Sequence, residues 1–215
     1  KAVNIPLEQL APIGCGLMTG AGAVLRSMKV KANMPIAIFG AGTVGLAAIM
    51  AAKIAGANPI IAVDINDERL TIAKELGATH AFNGKNDATA KIKELCPDGL
   101  GYAFDTTGFK TIIQGAFELL AFKGTLGIVG ACSPDEIMEF NELDFMACGR
   151  TVKGILGGDS DIGGGFINEL IEYHVDGRFP YEKLIGYFDF DNINEAIEAI
   201  DTGKVVKPVL RISAE

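Results

Sequence analysis

The sequence of 215 residues predicts a doubly wound α/β fold, in which a parallel sheet is covered by helices on both faces. Apolar runs without polar alternation recur between residues 36 and 129, as in the buried strands of a parallel sheet. Segments with helical periodicity separate these runs, and right-handed crossovers place their helices on both sides of the sheet. The first run ends in the pattern Gly-x-Gly-x-x-Gly at Gly40, Gly42 and Gly45, and an alanine-rich helical segment follows directly.

The individual elements are predicted from the spacing of apolar residues and from capping signals. Residues 1–16 contain several Pro and Gly and are expected to be extended, and Thr19 is expected to cap a helix that runs to about residue 29. The Gly-rich stretch 157–165 is interpreted either as a surface turn or as a hinge beside a cofactor. Strands are predicted at 36–39, 59–63, about 80–82, 102–105, 125–129, 151–156 and 207–212, and helices at 43–55, 67–76, 87–96, 109–120, 166–176 and 192–202.

The glycine pattern has the features of a dinucleotide-binding turn. Gly40 permits the tight turn, Gly42 lets the backbone approach a diphosphate, and Gly45 lets the helix lie close to the sheet. The N-terminus of the following helix presents unpaired N–H groups and a partial positive charge to phosphates. Asp64 closes the next predicted strand and can accept hydrogen bonds from both hydroxyls of an adenosine ribose. The sequence therefore predicts a Rossmann fold that binds a dinucleotide.

Asp64 also indicates which dinucleotide is bound. A carboxylate beside the 2′ position accepts hydrogen bonds from a hydroxyl and repels a phosphate, by about 1 kcal/mol in water and about 4 kcal/mol at a protein surface for charges roughly 4 Å apart. Arg69 could offset this repulsion, but with Asp64 present it is expected to lie along the adenosine. NAD is therefore favoured over NADP.

Composition excludes several classes of function. The net charge of -8 disfavours a nucleic-acid or anionic-membrane surface, and no apolar run reaches the length of a membrane span. Four widely spaced cysteines without a C-x-x-C pair suit free thiols in a reducing cytoplasm. The chain opens without Met and reaches its first nucleotide-binding strand only near residue 36, so we expect it to be a piece of a longer protein.

Motifs at 14–23, 39–45, 63–66, 74–79 and 207–210 occur in an order that resembles the zinc-dependent medium-chain alcohol dehydrogenases. The run from Gly14 to Ala23 is similar to that of the aryl (benzyl) alcohol dehydrogenase branch. The resemblance implies that Cys15 is the third ligand of a catalytic zinc and that Thr19 packs near the nicotinamide in the active site. It implies that Asp64 binds the ribose, that Arg69 lies near the adenosine, and that Lys207 stands where other members carry an arginine that reaches the pyrophosphate. The remaining residues implied to contact the cofactor are Gly40, Gly42, Thr43, Val44, Gly45, Thr106, Thr107, Val129 and Leu156, the last two through backbone groups that hold the carboxamide.

The sequence also departs from the family pattern. The first cysteine ligand, the Gly-His-Glu segment and the four-cysteine structural zinc lobe are absent, and His80 and His174 are expected to be structural or surface residues. A catalytic zinc needs three protein ligands, so we expect zinc only in the intact enzyme. We interpret 1–18 as a remnant of the catalytic domain, 19–156 as the dinucleotide-binding domain, and 157–215 as a hinge and C-terminal segment. The chain alone is expected to bind NAD(H) without oxidising alcohols.

Two other functions remain open on the sequence alone. One is a non-catalytic module that senses NAD, and the other is an S-adenosylmethionine-dependent methyltransferase, whose glycines usually follow Gly-x-Gly-x-Gly instead. The apolar stretch 151–156 would leave an unpaired sheet edge, and in the resembled family coenzyme domains dimerise by joining sheets there. We therefore expect a homodimer through this edge, with a small alcohol or aldehyde as substrate.

Overall fold

The structure, a computed structural model, describes residues 5–160 and 165–212. It contains eight strands in these residues: β1 (Ile36–Phe39), β2 (Ile60–Asp64), β3 (His80–Asn83), β4 (Leu100–Asp105), β5 (Leu120–Ile128), β6 (Thr151–Gly154), β7 (Ile185–Asp189) and β8 (Lys207–Arg211). The first six form one parallel sheet in the order β3-β2-β1-β4-β5-β6, and β7 pairs with β8 in a separate two-stranded parallel sheet. This strand order confirms the predicted Rossmann fold.

Helices cover both faces of the large sheet. The α-helices of the described residues are α1 (Leu7–Leu10), α2 (Met18–Gly22), α3 (Thr43–Ala55), α4 (Asp67–Leu76), α5 (Ala88–Leu95), α6 (Lys110–Glu118), α7 (Glu142–Ala147), α8 (Gly165–Val175) and α9 (Ile193–Asp201). Helices α3 and α4 share one core cluster with the segment around α2, and α5 and α6 share a second cluster with the opposite face of the sheet. The central strands β1, β2 and β4 are buried, as their uninterrupted apolar sequences require, whereas β3 and β6 at the two edges are only partly buried.

The segment before β1 differs from the prediction. Residues 1–16 were expected to be extended, but α1 is helical, and π-helical turns at Ile13–Leu17 and Ala23–Ser27 flank α2. Thr19 lies inside this helical stretch and is not an N-cap, because Leu17 precedes α2 with helical backbone angles. Tertiary packing explains the difference: a Cβ on Gly20 would stand 2.0 Å from the carbonyl oxygen of Val44, so the helical segment rests directly on α3.

The rest of the chain follows the predicted order, with changes at several boundaries. Strand β5 begins at Leu120 and not at 125, and the strand predicted at 151–156 ends at Gly154. Strand β7 was not predicted; it is short, half-buried along its length and ends at the exposed Asp189. Within the predicted hinge, Gly157–Asp159 form a 3-10 turn, and positions 161–164 lie outside the described residues. Across the described parts of the chain, every helix is too short or too polar to cross a membrane.

Candidate functional site

The Gly-rich turn joins β1 to α3 with backbone geometry that explains its glycines. Gly40 has φ +93°, a left-handed conformation that favours glycine. A Cβ on Gly45 would lie 1.8 Å from the carbonyl oxygen of Gly40, so only glycine lets the first turn of α3 approach the end of β1. Gly42 precedes α3 with extended backbone, and a Cβ there would meet nothing within 4 Å. Open space therefore faces the N-terminus of α3, which has no side-chain cap, and a diphosphate fits this cradle.

Asp64 is held beside the turn by two backbone donors. The N–H of Ala41 donates to Oδ2 at 2.6 Å, and the N–H of Asn66 donates to Oδ1 at 2.9 Å. These bonds fix the orientation of the carboxylate, and each oxygen can accept a further hydrogen bond. The carboxyl end of β2 and the Gly-rich turn are thus joined through the side chain predicted to bind ribose.

A cleft of about 340 Å³ lies next to Asp64 at the carboxyl end of the sheet. Its walls include Arg69, Thr106 and Thr107, all predicted from the sequence, and two exposed apolar side chains, Ile65 and Phe109. The Nε atom of Arg69 is buried and has no hydrogen-bond partner among the residues described. The cleft presents apolar surface for a base together with polar groups for a sugar.

Asp105 supports the far side of the cleft and was not singled out by the sequence as a contact. Its side chain is fully buried, and it accepts hydrogen bonds from the Thr107 hydroxyl at 2.6 Å and from the Gly108 N–H at 3.0 Å. The Thr106 hydroxyl donates to the Phe39 carbonyl at 2.9 Å, at the start of the Gly-rich turn. An acidic residue followed by Thr-Thr-Gly at a strand end is the local signal for such a side-chain-capped turn.

The start of α3 contacts both flanking segments of the chain. The Thr43 hydroxyl donates to the Val206 carbonyl at 3.4 Å, which brings the start of β8, and with it Lys207, next to the turn. On the other side, a Cβ on Gly16 would lie 3.1 Å from Cγ2 of Thr43. Cys15 is adjacent to this contact, and its thiol is exposed and free.

The remaining predicted residues lie near the same end of the sheet. Val129 directly follows β5, and its N–H donates to the Asp105 carbonyl at 3.0 Å. Leu156 follows β6 and is 90% exposed, whereas Thr19 is buried in the helical segment against α3. Val44 is partly buried against the core in the first turn of α3. The structure thus places the Gly-rich turn, Asp64, Arg69, Thr106 and Thr107 around one cleft. Val129 and Leu156 lie outside this cleft, after the ends of β5 and β6.

A zinc site does not assemble from the residues described. No three His, Cys, Asp or Glu side chains within 5–160 and 165–212 are grouped to hold a metal ion. Nδ1 of His174 lies 3.3 Å from both the Phe179 carbonyl and the Glu182 carboxylate, and Nδ1 of His80 lies 2.9 Å from the Thr79 hydroxyl. Cys15 alone does not meet the three-ligand requirement of a catalytic zinc, so no step through the metal follows from this chain.

Comparison with known proteins gives consistent matches. Residues 43–172 match the family model described as "Zinc-binding dehydrogenase". The chain is 38% identical over 209 residues to geraniol dehydrogenase of Castellaniella defragrans, covering 96% of this chain and 56% of that protein. The crystal structure of benzyl alcohol dehydrogenase from Acinetobacter calcoaceticus superposes with a TM-score of 0.95 at 38% identity, covering 99% of this chain and 59% of that one. An alcohol dehydrogenase zinc-binding domain protein from Burkholderia ambifaria gives 0.94 at 42% identity, with 99% and 58% covered. The chain thus spans somewhat more than half the length of each of these three proteins.

Proposed function

The chain belongs to the zinc-binding dehydrogenase family, and from this premise we propose that it is the NAD(H)-binding portion of an alcohol dehydrogenase. The observation that carries the proposal is the open cradle at Gly42, which lies beside a carboxylate held by Ala41 and Asn66. In the complete protein, hydride would pass between a primary alcohol and NAD. An aromatic alcohol is the substrate we propose, supported by the similarity to benzyl alcohol dehydrogenase.

The residues of this chain bind and orient the cofactor. Bound NAD supplies the nicotinamide ring that accepts hydride. The N–H groups at the start of α3 hold the diphosphate, assisted by Thr43 and the charge of Lys207, where a lysine lacks the bidentate fork of an arginine. Asp64 accepts hydrogen bonds from the ribose hydroxyls. Arg69, Thr106 and Thr107 line the adenosine cleft, and Thr19 and the backbone of Val129 and Leu156 contact the nicotinamide end.

We also propose how the segments of this chain are assigned to the domains of a longer protein. Residues 1–18 belong to the catalytic domain, 19–156 bind the dinucleotide, and 157–215 form a hinge and a returning C-terminal segment. Cys15 would be one zinc ligand, and the others would come from the part of the relatives that this chain does not match. The chain of 215 residues therefore binds cofactor without oxidising alcohols. Steady-state reduction of NAD by this chain with benzyl alcohol and added zinc would contradict this assignment.

Titration of the purified chain with three ligands tests the cofactor assignment. NADH should bind in the micromolar range with enhanced nicotinamide fluorescence, and NADPH at least fivefold more weakly, because Asp64 repels the 2′-phosphate. S-adenosylmethionine should not compete. Binding of S-adenosylmethionine together with no binding of NADH would instead support a methyltransferase. A non-catalytic sensor binds NADH as well, so it is distinguished by the absence of alcohol oxidation when the complete protein is assayed.

We further propose a homodimer through the edge formed by β6. The N–H of Ile155 donates to the Ile128 carbonyl at 2.8 Å, and since N–H groups alternate along a strand, that of Gly154 points to the open edge. Gly154→Pro would remove this donor, whereas Gly154→Ala keeps it, and a Cβ at this position meets nothing within 4 Å. Sedimentation should show a dimer for the parent chain and Gly154→Ala and a weaker dimer for Gly154→Pro. A monomeric parent chain at tens of micromolar would contradict the proposal.

A cytoplasmic location completes the proposal. All four cysteines are free: Cys15 is exposed, Cys96 is buried, and Cys132 and Cys148 are half-buried. Burial raises the pKa of the Cys96 thiol, which keeps it protonated and unreactive near neutral pH. When the protein is unfolded directly from a cell extract and its thiols are titrated, we expect four free thiols per chain. Fewer than four would indicate that some cysteines are oxidised.

A further inference from the structure

A second cleft lies next to the cleft beside Asp64. This second cleft of about 310 Å³ shares Phe39, Val63, Gly84 and Ile112 with the first, so the two are adjacent. The second cleft extends between the start of α5 and the middle of α6. It uses none of the residues assigned to the diphosphate, the ribose or the nicotinamide.

The order of groups in a dinucleotide indicates which part reaches this extension. With the diphosphate at the start of α3 and the ribose at Asp64, the adenine occupies the first cleft between Ile65 and Phe109. These two side chains are 63% and 65% exposed, and a flat ring between them would cover both. A purine is joined to its ribose through the five-membered ring, so the six-membered ring with its exocyclic amine is the distal end. That end faces the space beyond the first cleft.

The walls of the second cleft that the first cleft does not share include three polar side chains, one of which is negatively charged. These are Asp87, Thr89 and Thr111. Oδ1 of Asp87 accepts a hydrogen bond from the Ala90 N–H at 3.2 Å, which orients the carboxylate at the start of α5. Asp87 takes part in no salt bridge in the portion of the chain that the structure describes. Its charge is therefore available to a cationic group in the cleft.

We propose that the second cleft is a specificity pocket for dinucleotides enlarged on the six-membered ring of adenine, and that Asp87 gives it a preference for a positively charged substituent. This inference rests on the proposed NAD(H) binding and adds a property that such binding does not require. The probes are NAD, N6-(2-aminoethyl)-NAD, and N6-(2-hydroxyethyl)-NAD as the neutral analogue of equal length. Dissociation constants are measured by calorimetry on the chain.

The parent chain should bind the aminoethyl dinucleotide about two- to fivefold more tightly than the hydroxyethyl dinucleotide, the range expected for a solvent-exposed ion pair, and equal affinities would contradict the role of Asp87. The hydroxyethyl dinucleotide should bind within about threefold of NAD. Asp87→Asn keeps an oxygen to cap α5 and tolerates the left-handed φ of +49° at this position. It should remove the advantage of the aminoethyl over the hydroxyethyl compound and leave NAD unchanged.

Gly115 provides a variant that fills the pocket. It lies in α6 on the wall of the second cleft, and a Cβ there would meet nothing within 4 Å. Gly115→Leu should weaken both enlarged dinucleotides at least tenfold and leave NAD unchanged, and Gly115→Ala is the matched control with little effect on any of the three. The inference is overturned if the parent chain binds both enlarged dinucleotides more than tenfold more weakly than NAD, or if Gly115→Leu weakens all three equally. Absence of NAD binding by the parent chain would overturn the proposed function, and this inference with it.

Discussion

Replacing Gly42 by alanine should weaken cofactor binding without lowering the stability of the fold. The backbone at Gly42 is extended, with φ -79° and ψ -170°, which any residue adopts, and the added methyl group would meet nothing within 4 Å. Gly42→Ala should therefore raise the free energy of unfolding by about 0.4–1 kcal/mol, because alanine restricts the unfolded chain. The same methyl group would stand in the space where the diphosphate approaches the N–H groups of α3. Losing one hydrogen bond to a charged group costs about 1.5–3 kcal/mol, which corresponds to a roughly 10- to 150-fold weaker affinity for NADH.

Two measurements on matched variants test this reasoning. Calorimetry gives the dissociation constant for NADH, and urea unfolding in the absence of cofactor gives the stability. Gly45→Ala is the opposite case, because its Cβ would lie 1.8 Å from the Gly40 carbonyl oxygen, and we expect it to lose about 1–3 kcal/mol of stability through overpacking. If Gly42→Ala binds NADH as tightly as the parent chain, the diphosphate does not lie over this turn and the proposed binding mode is wrong.

Three further predictions concern other side chains. Asp64→Asn should reduce the preference for NADH over NADPH at least fivefold, measured as a ratio of dissociation constants, because it removes the charge that repels the 2′-phosphate; an unchanged ratio would show that Asp64 does not face the ribose. Hydrogen bonds from Lys153 and Ser27 lower the pKa of Asp159 below its ordinary value of 3.8. The stabilisation that these bonds give to the folded state is therefore present above pH 3.8 and is lost as the pH falls and the carboxylate is protonated. Asp159→Asn should thus lower the free energy of unfolding by less than about 1 kcal/mol at pH 7, and the difference should vanish during acid unfolding. Burial, and then the charge of Glu182, raise the pKa of Tyr181 from 10.0 to about 12, so the folded protein holds the neutral phenol and loses stability, relative to neutral pH, as pH rises through this interval. Tyr181→Phe removes a buried hydroxyl that has no partner among the described residues, and it should leave stability at pH 7 equal or up to about 1 kcal/mol higher and make alkaline unfolding shallower; a loss of more than 2 kcal/mol would contradict this.

The large sheet was predictable because each of its strands is signalled locally. The strands β1, β2 and β4 are continuous apolar runs, and a helix signal follows each of them. The segment from Ile13 to Leu17 gave the opposite result, since the Pro and Gly of residues 1–16 suggested an extended chain, whereas the stretch predicted as a helix from Thr19 to about residue 29 is largely helical. Gly16 permits close packing against α3, a long-range contact that local periodicity does not reveal. Tertiary burial outweighed local propensity there.

Much of the candidate site could be inferred in the same local way. The Gly-rich turn and Asp64 follow from spacing alone, because the topology of a βαβ unit brings them to one edge of the sheet. The roles of Thr106 and Thr107 came from resemblance, and the structure shows the hydrogen bonds that they make with the turn and with Asp105. Phe109 and Asp87 were not predicted as contacts. Phe109 precedes α6 and Asp87 precedes α5, and each becomes part of a cleft only when the fold brings its helix next to other strand ends.

The close contact between the α2 segment and α3 determines which parts of the molecule can move independently. A Cβ on Gly20 would meet the Val44 carbonyl oxygen at 2.0 Å, and one on Gly158 would meet the Met18 carbonyl oxygen at 2.7 Å. Because backbone packs against backbone at Gly20, we expect α2 and the Gly-rich turn at the start of α3 to move together as one rigid unit. If a longer protein opens and closes around its substrate, we therefore expect the bending outside the contact between α2 and α3.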